Sequence, residues 1–241
     1  MKNTMLKQFE QQRVIWFCML AMSILFYTIL SGCQFTKSKS VEKELRYVEN
    51  SEIIGAEKEK LIGKVHEAIY EKMDRSNTGV ESVNIPLVPQ EGVEINLPDG
   101  RYTITGHPAG NILLYDRAGD LILRELVGSY AGVSSLTIDI AESYTLRADG
   151  GYDSINITPT TTQLLNDLSA GIWHVGIDIE PGKYKATTAY GLGYVQIFEE
   201  GKEPLLYEFL GGNLANTESV LQLKEGQIIR VTKMSQLELR K

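Results

Sequence analysis

Val93-Glu94-Ile95-Asn96-Leu97-Pro98-Asp99-Gly100-Arg101-Tyr102-Thr103-Ile104-Thr105 and Val175-Gly176-Ile177-Asp178-Ile179-Glu180-Pro181-Gly182-Lys183-Tyr184-Lys185-Ala186-Thr187 are two versions of one pattern, 82 residues apart. In each, apolar residues alternate with polar ones, a Gly-containing turn intervenes, and the alternation resumes after a Tyr. A period of two is the signature of a half-buried strand, and the Gly marks a tight reversal. The pattern therefore predicts a strand, a turn and a return strand, made twice.

The match continues outward, one residue out of step. Gly110-Asn111-Ile112-Leu113-Leu114-Tyr115 aligns with Gly193-Tyr194-Val195-Gln196-Ile197-Phe198, and Leu123-Arg124-Glu125-Leu126 with Leu206-Tyr207-Glu208-Phe209. Ile138-Asp139-Ile140-Ala141-Glu142 aligns with Leu221-Gln222-Leu223-Lys224-Glu225, and Ile155-Asn156-Ile157 with Leu237-Glu238-Leu239. A slip of one residue would turn a strand's apolar set to the other face, so the preserved phase points to duplication. The expected fold is mainly β: two tandem small antiparallel β-sandwich-like domains, over 81–158 and 159–241.

The turn has the form apolar-x-x-Gly-x-Tyr. Its Gly is expected at positive φ. The Tyr ring is expected over the core edge, with its hydroxyl in water. Leu168-Ser169-Ala170-Gly171-Ile172-Trp173 has the same form, which predicts an extra hairpin whose first strand lies near Thr162 to Leu168. The spacing of Leu164, Leu165 and Leu168 fits a short helix equally, and both readings stay open.

From Gly171 through Tyr184, and on to Leu223-Lys224-Glu225-Gly226-Gln227-Ile228-Ile229, the second copy resembles a β-rich module of surface and secreted proteins of Gram-positive bacteria. The resemblance runs to about Leu239. The first copy departs from it: Glu94 replaces Gly176, Asn96 replaces Asp178, and Ser143 replaces Gly226. The resemblance implies a fold and a location, and no reaction.

Upstream, Lys2, Lys7 and Arg13 precede Val14 to Leu30, a run of 17 uncharged residues. A basic opening before an apolar run is the layout of a secretory signal, at a length close to the minimum for a membrane span. Leu30-Ser31-Gly32-Cys33 follows and resembles the lipobox of bacterial lipoproteins. The resemblance implies diacylglycerol on the Cys33 thiol, cleavage before it, and loss of residues 1–32 as a signal peptide. A retained membrane helix is the alternative. Either reading puts the remainder on the extracytoplasmic face of the cell membrane. Residues 33–80 then read as a tether, Thr36 to Ser40, and a helical stalk. Val41, Leu45 and Val48 form one stripe, and Leu61, Val65, Ile69 and Met73 a second. Ser51 and Gly55 separate them, and the second stripe either docks on the β domains or stays a stalk.

The whole chain carries a formal charge of −7. Removal of the first 32 residues takes away three basic residues and one acid, which leaves −9. That balance argues against nucleic acid as a partner. Only Cys18 and Cys33 are present, so no disulfide framework or thiolate metal site is expected in the mature chain. None of the histidines, His66, His107 and His174, has a second His or Cys at metal-ligand spacing, and no Gly-x-Ser-x-Gly elbow occurs. Asp149-Gly150-Gly151-Tyr152-Asp153 reads as a turn in preference to a calcium loop. Asp178 and Glu180 read as the outward polar face of a strand. Tyr184 and Trp173 read as core edge. Tyr190 and Tyr194, around Gly191-Leu192-Gly193, are the candidates for ligand contact. The expectation is a non-enzymatic lipoprotein with no cofactor or metal, anchored at Cys33, with a cell-wall or protein partner. An envelope hydrolase with a site between the copies, or a spacer, are the alternatives.

Overall fold

A computed structural model of the chain describes residues 50–77, 79–212 and 215–241. The apolar run, Cys33 and the stripe Val41, Leu45 and Val48 lie outside the described residues, which all fall in one compact unit, Leu45–Lys241. The fold is mainly β. The first copy supplies β1 (Val83–Pro86), β2 (Val93–Ile95), β3 (Gly100–His107), β4 (Ala109–Tyr115), β5 (Leu121–Gly128), β6 (Leu136–Ile140), β7 (Thr145–Asp149) and β8 (Ser154–Pro159). The second supplies β9 (Asp167–His174), β10 (Gly182–Thr187), β11 (Gly191–Phe198), β12 (Leu205–Gly211), β13 (Ser219–Leu223) and β14 (Ile228–Arg240).

Ten strands form one sheet in the order β1-β8-β3-β6-β9-β14-β10-β13, with β11 and β12 attached through β14. The other four form a sheet in the order β2-β7-β4-β5. The alternating burial along these strands follows from their apolar period: Ile112 and Leu114 of β4, and Leu146 and Ala148 of β7, are fully buried. The first copy closes its two layers over Ile104, Ile112, Leu136 and Ile157. The second closes over Val195, Phe209, Leu221 and Leu237. Each fully buried aliphatic side chain contributes about 1.5–3 kcal/mol, so each copy has a core of its own.

The copies share the larger sheet. β6 pairs in parallel with β9, Leu136 opposite Ala170 and Thr137 opposite Gly171. A row of hydroxyls crosses the same seam, from Thr160 to Thr103 (2.7 Å), Thr103 to Thr137 (3.1 Å) and Thr137 to Ser169 (2.9 Å). Gly171 is thus no turn residue. It stands at φ 142° in mid-strand, and a Cβ there would lie 1.9 Å from the Thr137 carbonyl oxygen. Residues 161–165 form neither the expected hairpin strand nor the alternative helix. A Gly-x-aromatic string looks the same whether its Gly makes a turn or lets another backbone approach, and here the approach won.

The hairpin tyrosines repeat one contact. Tyr102 and Tyr184 are both buried, and each hydroxyl donates to the carbonyl four residues back, Pro98 and Glu180 respectively, at 2.9 Å. The hydroxyls are therefore satisfied by backbone, not by water as expected. Gly100 serves space in place of positive φ, because the buried Asn77 side chain lies where a Cβ would go.

The segment before the strands is a strap with a short helix. Helix α1 (Ala56–Ile62) has Glu57 and Glu59 in its first turn and stops at Gly63, φ 67°. A single 3-10 turn follows at Glu67–Tyr70. The stripe from Leu61 to Met73 therefore does not lie on one helix. Its residues dock on the β body instead: Ile69 is buried, with Ile62, Val65 and Met73 packed against the first core. Upstream, Glu52 bridges to Tyr207, and the Asn50 side chain accepts from the Val220 N–H at 2.8 Å. These contacts satisfy exposed edges of β12 and β13, which otherwise invite pairing with another chain. Among the described residues, no helix is long and apolar enough to cross a membrane.

Candidate functional site

A concavity of about 570 Å³ lies where the copies and the strap meet. α1 lends Leu61 and Ile62, and the first copy lends Leu126 with its neighbours Arg124 and Glu125. The second copy lends Tyr194 and Gln196 from β11, and Arg230, Thr232 and Lys233 from β14. Gln196 and Arg230 are direct cross-strand partners, so their side chains leave the sheet side by side. Both carry a buried polar atom without a hydrogen-bond partner, Gln196 Oε1 and Arg230 Nε. Such atoms are rare in folded proteins and cost free energy where they stand. Burial pushes the Arg230 guanidinium down, and Glu125 pulls it partly back up.

Glu125 is differently placed. It is buried, accepts from the Thr232 hydroxyl, and accepts from the Lys233 N–H at 3.3 Å and the Leu126 N–H at 3.3 Å. Its charge is committed to the wall. Arg124 donates to Asn111 Oδ1 at 2.9 Å, and Lys233 Nζ lies 5.3 Å over the Tyr194 ring. Within ion-pair distance, no carboxylate of the described residues reaches Arg124, Arg230 or Lys233. Three cations thus line the cavity against one engaged acid.

A second cluster fills the seam on the β6–β9 side. Arg101 of β3 donates to Asp139 of β6 at 2.9 Å and to the Ile172 carbonyl at 3.1 Å, with Trp173 under its guanidinium at 4.6 Å. Arg75 of the strap donates to Asp139 and to Asp178, each at 2.7 Å. His174 Nε2 lies 3.4 Å from Asp139. Burial alone would raise the Asp139 carboxyl. The hydrogen bond from His174 and the charges of Arg101 and Arg75 outweigh burial and hold it at about 2. Two arginines and two carboxylates balance in charge, and nearly every polar atom has a partner. The crevice that Asp139 and His174 line holds about 20 Å³, too small for an organic ligand. This is a lock between copies and strap.

Asp178 therefore is not on an outward face. Gly176 stands at φ 95° in a tight turn, whereas Glu94 in the first copy lies in β2 opposite Arg147. Asp178 is carried inward, accepting from the His174 N–H at 2.8 Å, while Glu180 stays exposed and pairs with Lys241. The two carboxylates never face one another, and a paired-carboxylate mechanism has no geometry here.

His66, Asp116 and Asp120 bring ligand atoms within 4.8 Å. His66 Nδ1, however, accepts from the Ala68 N–H at 3.2 Å. The ring proton is then on Nε2, directed at Asp116 3.4 Å away, and leaves no lone pair there for a metal. Asp116 in turn accepts from the Ala118 and Asp120 N–H groups at 2.8 and 2.9 Å. The cluster ties the strap to the β4–β5 turn.

Ser129 Oγ lies 2.7 Å from His107 Nδ1, and Asp153 lies 3.7 Å from His107 Nε2. The order resembles a hydrolytic triad, but its supports are missing. The carboxylate is beyond hydrogen-bond distance of the ring, and the histidine is 45 % exposed. The Ser129 and Tyr130 N–H groups, which would form an oxyanion hole, donate to the Gly106 and Pro108 carbonyls. Without preorganised donors, the largest part of catalytic stabilisation is lost.

Of the tyrosines singled out, Tyr194 is in the cavity wall and 9 % exposed, packed with Ile53 and Leu206. Tyr190 is 79 % exposed and does not line the cavity. Trp173 and Tyr184 are core residues. Asp149-Gly150-Gly151 is a turn, with both glycines at positive φ. Gln196, Arg230, Lys233 and Glu125 went unnoticed in the sequence. The signal available was an Arg inside the short apolar stretch Ile228-Ile229-Arg230-Val231. Cys33 lies outside the described residues. No family model, no curated protein and no solved structure matches the chain.

Proposed function

We propose that the chain is an extracytoplasmic lipoprotein, acylated at Cys33, whose β body is a non-enzymatic binding module at the cell envelope. The anchor rests on the basic opening, the uncharged run and Leu30-Ser31-Gly32-Cys33. Two acyl chains hold a soluble body at a bilayer far more firmly than one. The observation that carries the binding role is the inter-copy cavity with two unpartnered buried polar atoms in its wall. A concave site with an apolar side and a few convergent polar groups is the ordinary form of a small-molecule site. A cell-wall fragment or a protein segment entering the cavity is the partner in view.

Two measurements test the reading. Radiolabelled palmitate enters the wild-type chain and not Cys33→Ala. Leu126→Trp, which fills the cavity mouth from a 41 % exposed position, keeps the melting temperature but loses ligand-induced shifts in a metabolite and cell-wall-fragment screen. Shifts that survive Leu126→Trp unchanged would place binding elsewhere.

A further inference from the structure

The protein is acidic overall, yet the inter-copy cavity presents three cations to a single acid, and that acid is already capped by three donors. The arginines of the inter-copy lock behave differently: Arg75 and Arg101 have carboxylates at 2.7 and 2.9 Å. Arg230 has none, and its Nε–H has no acceptor of any kind. A positive concavity with low-dielectric walls concentrates anions from solution. The geometry narrows the class further. Gln196 Oε1 accepts, Arg230 Nε donates, and the two side chains are cross-strand neighbours, which places their Cβ atoms about 5 Å apart. A ligand that satisfies both must carry an oxyanion and a hydrogen-bond donor close together.

Resting on the binding role above, we propose that the cavity takes a small hydroxylated organic anion, its oxyanion on Arg230 and an adjacent hydroxyl on Gln196. Arg124 and Lys233 add charge at the wall, and Leu61, Ile62 and Leu126 cover the carbon skeleton. The shared chemistry is an acid group beside a hydroxyl, as in an α-hydroxy carboxylate or a polyol phosphate. A buried Nε–H without an acceptor is costly for the empty protein, and the arginine becomes favourable once paired and hydrogen-bonded by a bound anion.

Calorimetric titration of the full chain in detergent tests this with lactate, gluconate and glycerol 3-phosphate as anions, and glycerol and glucose as neutral counterparts. Acetate and methyl phosphate serve as anions without a hydroxyl. At least one hydroxylated anion is expected to bind tenfold or more tighter than its neutral counterpart, and to weaken with added salt. The carboxylate and phosphate arms tell the two sources apart. Arg230→Met is expected to lose at least tenfold in affinity while its melting temperature stays level or rises, since a burdened charge has been removed. Gln196→Leu is expected to erase the preference for the hydroxylated anion over the plain one. If neutral polyols bind as well as the anions, or if Arg230→Met binds normally, the inference is wrong while the cavity remains a binding site. If none of the anions binds, the inference is equally overturned. If anions bind undiminished to Leu126→Trp, the cavity is not the site and both readings fall.

Discussion

Arg101 and Asp139 face one another across β3 and β6 in the first copy; Lys183 and Gln222 face one another at the same register across β10 and β13 in the second. The first pair is buried and the second exposed. The difference is not in the hairpin that carries them. β6 is covered by β9, whereas β13 is the last strand of its sheet and, among the described residues, is capped by Asn50. The same local structure thus acquires a buried ion pair or a wet surface according to what the next copy does. The copies also differ at their corners. The first breaks β1 from β2 and β7 from β8, with Gly150 and Gly151 at positive φ. The second runs through both corners in β9 and β14, with a register shift between Val231 and Gln236 and Lys233 at φ 62°. One plug survives the change: Tyr152 packs against Gly110 in the first copy, and Met234 against Gly193 in the second.

The sharpest way to break this comparison is to remove a charge from the buried pair and from its exposed equivalent. Arg101→Met should cost about 3–5 kcal/mol, because it leaves carboxylates buried beside a single remaining arginine. Lys183→Met should change stability by less than about 0.5 kcal/mol. Urea unfolding of both variants measures the gap, and similar losses would mean that β9 does not cover β6. Next in size is the seam itself. Gly171→Ala puts a Cβ against the Thr137 carbonyl and should cost about 3 kcal/mol, with loss of amide protection in β6 and β9 by hydrogen exchange.

A pH titration sharpens the same contrast. Asp139 is held at about 2 against an ordinary 3.8. A carboxyl depressed on folding contributes stability that is complete above its ordinary value and is lost as pH falls through the folded one. About 2 kcal/mol should therefore disappear between pH 4 and pH 2, and the slope across that window should flatten in Asp139→Asn. The smallest effect separates the two first turns. Gly176→Ala should cost about 1–2 kcal/mol for its left-handed backbone, whereas Glu94→Gly in β2 should cost about 0.5–1 kcal/mol. A Gly176→Ala variant as stable as wild type would show that the turn does not need its φ of 95°.

The opening strand expected over 175–179 is a tight turn instead, whereas the return strands, their phase, the hairpin tyrosine rings at the core and the Asp149 turn were legible in the sequence. Each depends on residues near in chain, where the period of a strand and the conformational limits of Gly and Tyr act directly. Helix α1 was legible in its start and not in its end, because the apolar stripe past Gly63 has helical spacing yet is used for docking. Gly171 and Asp178 were misread for a related reason. Whether a Gly turns the chain or admits a neighbour, and whether an Asp points outward or inward, depends on what packs opposite.

By itself, then, the order of residues determined a twice-made β unit, an acidic chain without thiols beyond Cys18 and Cys33, and an uncharged run followed by Leu30-Ser31-Gly32-Cys33. Only the tertiary structure decided that the two units share a sheet, that Arg75, Arg101, Asp139, His174 and Asp178 lock them together, and that Gln196 and Arg230 look into a cavity between them. Those residues come from separate strands and the strap, more than a hundred positions apart at the extremes. Coulomb attraction and desolvation act through space, and no local period in a sequence encodes them.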